Sequence, residues 1–246
     1  MATEERPASA GPGFRAILDV VAAVATVAAA AAVVWALVLR SPPPVATQSR
    51  ADNSRSLPVP AEPVAIDGAP ILGDPKASLA MVLFSDFECP YCGRFANDAL
   101  PSIKTNYLDT GKVQLAFKHF PVSGRHPRAR PAAEVAVCAA KQGKFWAFHD
   151  ELFTDPKKLS DADLVSYQKK VGLDENQLRA CLKADAEGRI DQDAALAKTL
   201  SIQGTPTFLV GRLQGDGRVK VSQVIAGALP ATEFAARLDA LLAARE

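Results

Sequence analysis

The chain has 246 residues, four cysteines and three histidines, and its 28 Lys and Arg against 27 Asp and Glu leave a net charge of +1. That balance, with no basic run, argues against a nucleic-acid surface or a strongly acidic partner. Four cysteines are too few for a disulfide-dense mini-protein, and no histidine pair stands at metal-ligand spacing, so no metal site is predicted.

Residues 1–16 form a short N-terminal tail, and residues 17–40 are predicted to be a single transmembrane helix. Within that segment Val20 to Leu39 is an uncharged run of twenty residues. At 1.5 Å rise per residue such a helix matches a hydrocarbon layer of roughly 30 Å. Trp35 and Arg40 suit the approach to an interface. A cleaved signal would have a shorter apolar core of about 7 to 15 residues, so an uncleaved anchor is expected. Residues 41–63, rich in Pro, Ser and charge, read as an extended linker.

One domain, residues 64–246, follows. "VAIDGAPILGDP" is a β-like lead-in with turn signals, and "SLAMVLFSDF" a compact buried strand. From Pro90 the pattern becomes helical, with Phe95, Leu100, Ile103 and Tyr107 recurring before "DTGK". Residues 113–120 alternate as a strand. A helical region runs from about 127 to 201, in which Ser160 and Asp174 are placed as N-caps. Residues 205–210 and 220–227 are two strands split by "QGDG". A last helix puts Phe234, Leu238, Leu241 and Leu242 on one face. This order predicts an α/β domain, a central sheet with helices on both faces.

Cys89 and Cys92 fall at the strand-to-helix turn of the first βαβ unit. A static bridge, half a zinc site and a redox centre all use this spacing. Zinc would need a second close pair, whereas Cys138 and Cys181 stand far apart. A bridge closing so short a loop would constrain the unfolded chain little. A sulfur at a helix N-terminus, in contrast, meets orphan N–H groups and the positive end of the helix dipole, which stabilise a thiolate. Disulfide exchange needs an exposed sulfur to attack and a second to resolve. Cys89 and Cys92 fit those parts in that order, while Glu88 would oppose thiolate formation if its carboxylate pointed inward.

"FSDFECPYCGRF", "EVAVCAAKQGKFWAFHDELF" and, far downstream, "GTPTFLV" together resemble the DsbA-like branch of the thioredoxin superfamily. The similarity runs from about Val64 to the C-terminus. It implies a thioredoxin-like fold with a helical insertion at about residues 122–185. It also implies Cys89 as the attacking and Cys92 as the resolving cysteine, with Pro90 and Tyr91 tuning the couple. Pro206 matches the family's cis-proline, and Thr205 before it would offer backbone groups to an extended substrate. Thioredoxins carry a buried carboxylate six positions before the first cysteine, where this chain has Leu83; Asp86 and Glu88 are the substitutes at hand. Cys138 and Cys181 are either two buried thiols or a structural disulfide stapling the insertion. An oxidising compartment favours the bridge. Phe145, Trp146 and Phe148 are expected to fill core, and His149 to be structural.

The resemblance implies a thiol-disulfide oxidoreductase of exported, cysteine-containing proteins, reset by a membrane redox partner and needing no dissociable cofactor. Such chemistry places the domain on the extracytoplasmic side of the cell membrane. A dedicated reductase or isomerase, or a non-catalytic thioredoxin-like interaction module, are the competing expectations.

Overall fold

A computed structural model of the protein describes residues 58–184 and 186–244. The expected tail, membrane helix and most of the linker lie outside the described residues. No helix among the described residues is long and apolar enough to cross a membrane.

The element order is β1 (Val64–Ala65), β2 (Ile71–Leu72), β3 (Leu79–Ser85), a helical run α1 over residues 90–108, and β4 (Val113–His119). Then come α2 (Ala129–Lys141), α3 (Phe145–Thr154), α4 (Asp161–Lys170), α5 (Glu175–Ala184) and α6 (Ala186–Thr199). The chain returns through β5 (Thr207–Leu213) and β6 (Arg218–Ala226) to α7 (Ala231–Ala243). The strands form one sheet in the order β1-β6-β5-β3-β4-β2. β3 and β4 are parallel, and β5 pairs antiparallel with β3 on its other side.

β3 is buried along its whole length because both faces of the sheet are covered. Side chains alternate along a strand, so Leu79, Met81 and Leu83 enter one core and Ala80, Val82 and Phe84 another. The first core takes Phe95 and Ile103 of α1, Phe234 and Leu238 of α7, and much of α2 and α3. The second takes Ala197 of α6 and Ile202 just after it. Between Val210 and Gly211 the β5–β6 register shifts. A Cβ at Gly211 would lie 2.0 Å from the Lys220 carbonyl oxygen, so the bulge admits only glycine.

Two features depart from the plain helix expected after Pro90. Phe95–Ala99 and Lys104–Leu108 are π-helical, joined by the α-helical turn Leu100–Ile103. Pro101 has no N–H to give and its ring crowds the preceding turn, which favours looser bonding there. The helical block is also capped as its sequence indicates. Ser160 and Asp163 form a reciprocal capping box on α4, and Asp174 accepts from the Gln177 N–H at 2.8 Å. Cys138 of α2 and Cys181 of α5 are joined by a disulfide, with Cα atoms 5.7 Å apart.

Candidate active site

Leu79 to Ser85 leads β3 out of the core, and Asp86 then turns the chain into α1. One Asp86 carboxylate oxygen accepts the Glu88 N–H at 2.8 Å, and the Asp86 carbonyl accepts the Cys89 N–H at 3.2 Å. Cys89 is therefore the N-cap of α1 with extended backbone, followed by Pro90 at the first helical position. Its carbonyl accepts the Gly93 N–H at 3.1 Å, the first turn of the helix. Phe95 locks that helix onto the domain by ring contacts to Phe208 at 4.6 Å and Phe234 at 5.4 Å.

Cys89 and Cys92 are free cysteines, 4% and 1% exposed. The expectation of an exposed attacking sulfur is thus corrected: the segment leading into β5 comes close to it. The Cys89 sulfur lies 3.4 Å from the Thr205 carbonyl oxygen, to which the thiol donates. The Thr205–Pro206 peptide bond is cis. The two sulfurs differ electrostatically. The hydrogen bond from the Cys92 thiol, helped by the Thr205 side chain and the Cys92 and Tyr91 backbone, outweighs burial and lowers the Cys89 pKa from 9.0 to about 5. Burial, and then the Cys89 sulfur beside it, raise Cys92 well above the ordinary thiol value.

Glu88 does not oppose the thiolate, because its carboxylate turns away to accept the Arg128 N–H at 2.6 Å. Tyr91 is 54% exposed beside the cysteines, with the Arg94 guanidinium 5.1 Å from its ring centroid. Gly93 faces the insertion: a Cβ there would lie 2.7 Å from Cγ of Pro156, in the loop after α3. A cavity of about 600 Å³ opens at this seam, lined by Pro90, Gly93, His126 and Lys157 among others.

Cys89, Cys92, Thr205 and Pro206 are brought together, while the Cys138–Cys181 bridge belongs to the helical block. Phe145, Phe148 and His149 are buried in the aromatic core, with the His149 ring centroid 4.8 Å from that of Phe153. No cluster able to hold a metal ion occurs among the described residues. The network that sequence reasoning did not reach surrounds Asp86, whose side chain is fully buried. Its second oxygen accepts from the Val122 N–H at 2.8 Å and lies 2.8 Å from His126 Nδ1. These partners are 36 and 40 positions downstream, so no local spacing connects them.

A family model described as thioredoxin matches residues 66–225. A probable disulfide bond formation protein D of Bacillus cereus is 33% identical over 147 residues, covering 56% of this chain and 68% of that protein. The Na(+)/H(+) antiporter NhaA 3 of Salinispora tropica is 37% identical over 171 residues, covering 69% of this chain and 26% of the antiporter. The chain thus spans only about a quarter of the length of the curated antiporters it matches. Among solved structures, oxidised BdbD from Bacillus subtilis is 25% identical with a TM-score of 0.60, over 74% of this chain and 100% of that one.

Proposed function

The chain belongs to the thioredoxin family as a DsbA-like thiol-disulfide oxidoreductase, and from that premise we propose that it forms disulfides in exported proteins at the extracytoplasmic face of a membrane. The observation that carries this direction is the asymmetry of the two sulfurs. With a pKa of about 5, Cys89 is about 99% thiolate at pH 7, against about 1% for an ordinary thiol at 9.0. That increase of about 100-fold in population hardly helps attack. A Brønsted slope of about 0.4–0.5 over four units removes about 40- to 100-fold of intrinsic nucleophilicity. As a leaving group, however, Cys89 gains without offset, and its thiolate stabilises the reduced protein.

In the oxidative cycle a substrate thiolate attacks Cys89 of the Cys89–Cys92 disulfide and Cys92 departs. A second substrate thiolate then attacks the substrate sulfur of the mixed disulfide and expels the Cys89 thiolate. A membrane redox partner resets the pair by taking its two electrons. The Thr205 carbonyl beside Cys89 supports docking of an extended substrate segment. The Cys138–Cys181 bridge supports an oxidising compartment, where such bonds persist. The uncharged run from Val20 to Leu39 supports an anchor.

The test is oxidation of a reduced, unfolded protein by stoichiometric oxidised protein, followed by mass after alkylation. Wild type should yield disulfides and Cys89→Ser none; a substrate left reduced by wild type would overturn the direction. Protease should reach the domain in intact cells, and protection there would overturn the location.

A further inference from the structure

The Asp86 carboxylate receives three donors: the Glu88 N–H on one oxygen, and the Val122 N–H and His126 Nδ1 on the other. A carboxylate with that set can only accept, so Nδ1 of His126 must carry a proton. In the neutral ring Nε2 then holds the lone pair, and it makes no hydrogen bond among the described residues. The His126 side chain is 20% exposed and lines the cavity of about 600 Å³ that also borders Pro90 and Gly93, the neighbours of Cys89 and Cys92. A ring held through Nδ1 in a fixed tautomer thus lines a cavity that also borders the residues next to the cysteine pair.

We propose that His126 is a catalytic proton carrier for the substrate sulfur during exchange, and that Asp86 is its positioning residue. The proposal rests on the exchange reaction given above. In the first step the substrate S–H gives its proton to His126 Nε2 as the sulfur bonds to Cys89. The Cys89–Cys92 bond breaks and its electron pair goes to Cys92, which burial keeps a strong base. The imidazolium then yields its proton to that sulfur. In the second step His126 takes the proton of the second substrate thiol as the substrate disulfide forms, and later loses it to solvent. Cys89 departs as a thiolate and needs none. Two electrons pass to the protein, one proton ends on Cys92 and one in solution.

The charged groups that line the same cavity as His126 are Glu88 from the turn, Arg94 and Asp98 from α1, and Asp155 and Lys157 from the loop after α3, of mixed sign.

The experiment uses the full-length oxidised protein and two reduced probes in stopped flow from pH 5 to 9. One is an alkyl dithiol peptide, protonated at neutral pH; the other is an aromatic thiol already ionised there. His126→Asn keeps an amide N–H for Asp86 and removes the base. It should slow oxidation of the alkyl dithiol about 100-fold at pH 6–7, converge on wild type near pH 9, and leave the aromatic thiol unaffected. Equal slowing of both probes, or of neither, overturns the proposal while the exchange reading stands. A wild type inert toward both probes overturns the exchange reading and this proposal with it. Should the variant not fold, ¹H–¹⁵N correlation on wild type reads the His126 tautomer: a proton on Nδ1 supports the assignment, and a neutral ring protonated at Nε2 overturns it.

Discussion

Lowering the pH from 7 to 5 should remove most of the oxidising advantage that the Cys89–Cys92 couple holds over an ordinary dithiol, by an amount that follows from the sulfur environment. The disulfide form has no thiol to ionise. In the reduced form Cys89 is depressed from 9.0 to about 5, while Cys92 is raised and stays protonated across this range. A depressed pKa gives stability that is complete above the unfolded value, partial between the two, and lost as the pH falls through about 5. At pH 7 the ionised Cys89 is worth about 2.7 kcal/mol to the reduced state, two pH units above its pKa at about 1.36 kcal/mol each. At pH 5 about 0.4 kcal/mol remains. The pH 7 value corresponds to a couple roughly 60 mV more oxidising than one with an ordinary thiol. Equilibration with glutathione buffers, quenched by alkylation and read by mass, gives the potential at each pH. One proton per two electrons predicts a slope of about 30 mV per pH unit between pH 6 and 8, steepening toward about 59 mV below pH 5. A slope near 59 mV throughout pH 6–8 would mean that both sulfurs take up protons, and would refute the asymmetry.

Three further outcomes follow from the same geometry. The Cys138–Cys181 bridge closes a sequence separation of 43, for which chain entropy gives about 4 kcal/mol of stability. Removing it by Cys138→Ala with Cys181→Ala should lower the urea unfolding free energy by that order and leave exchange at Cys89 within about twofold; a loss below about 1 kcal/mol would show the staple does not constrain the unfolded chain. Glu88→Gln should leave the thiolate absorbance titration of Cys89 in place, since the Glu88 carboxylate is held by the Arg128 N–H. Cys92→Ala should move the same titration upward, since the Cys92 thiol supplies its largest stabilising hydrogen bond. A Cys89 pKa that responds to Glu88 and ignores Cys92 would reverse this assignment of causes.

The elements that could be read from sequence are those with a local physical signature. The run Leu79 to Ser85 is apolar on both sides because both faces of its strand are covered. Ser160 and Asp174 announce their helices because capping is settled within four residues. Cys89 and Cys92 lie one helical turn apart, and "GTPTFLV" marks Pro206 by resemblance. What escaped was settled at a distance. Asp86 could be named only as a substitute acid, because its partners Val122 and His126 reach it from the segment after β4. The near-complete burial of Cys89 depends on Thr205, 116 positions away. The π-helical stretches of α1 have a local hint in Pro101, yet apolar periodicity alone reads them as ordinary helix.

The contact between Gly93 and Pro156 sets apart two things the molecule must control. The ionisation of Cys89 is fixed first by the Cys92 thiol in the opening turn of α1 and then by Thr205 at the entry to β5, none of them part of the insertion. The wall beside it comes from Asp155, Pro156 and Lys157 of the insertion, which touch the framework here through a glycine and a proline ring. Substitutions in that loop reshape the cavity wall without touching the groups that set the ionisation of Cys89. The surface beside the pair and the electrostatics of its first sulfur are therefore separately variable in this architecture.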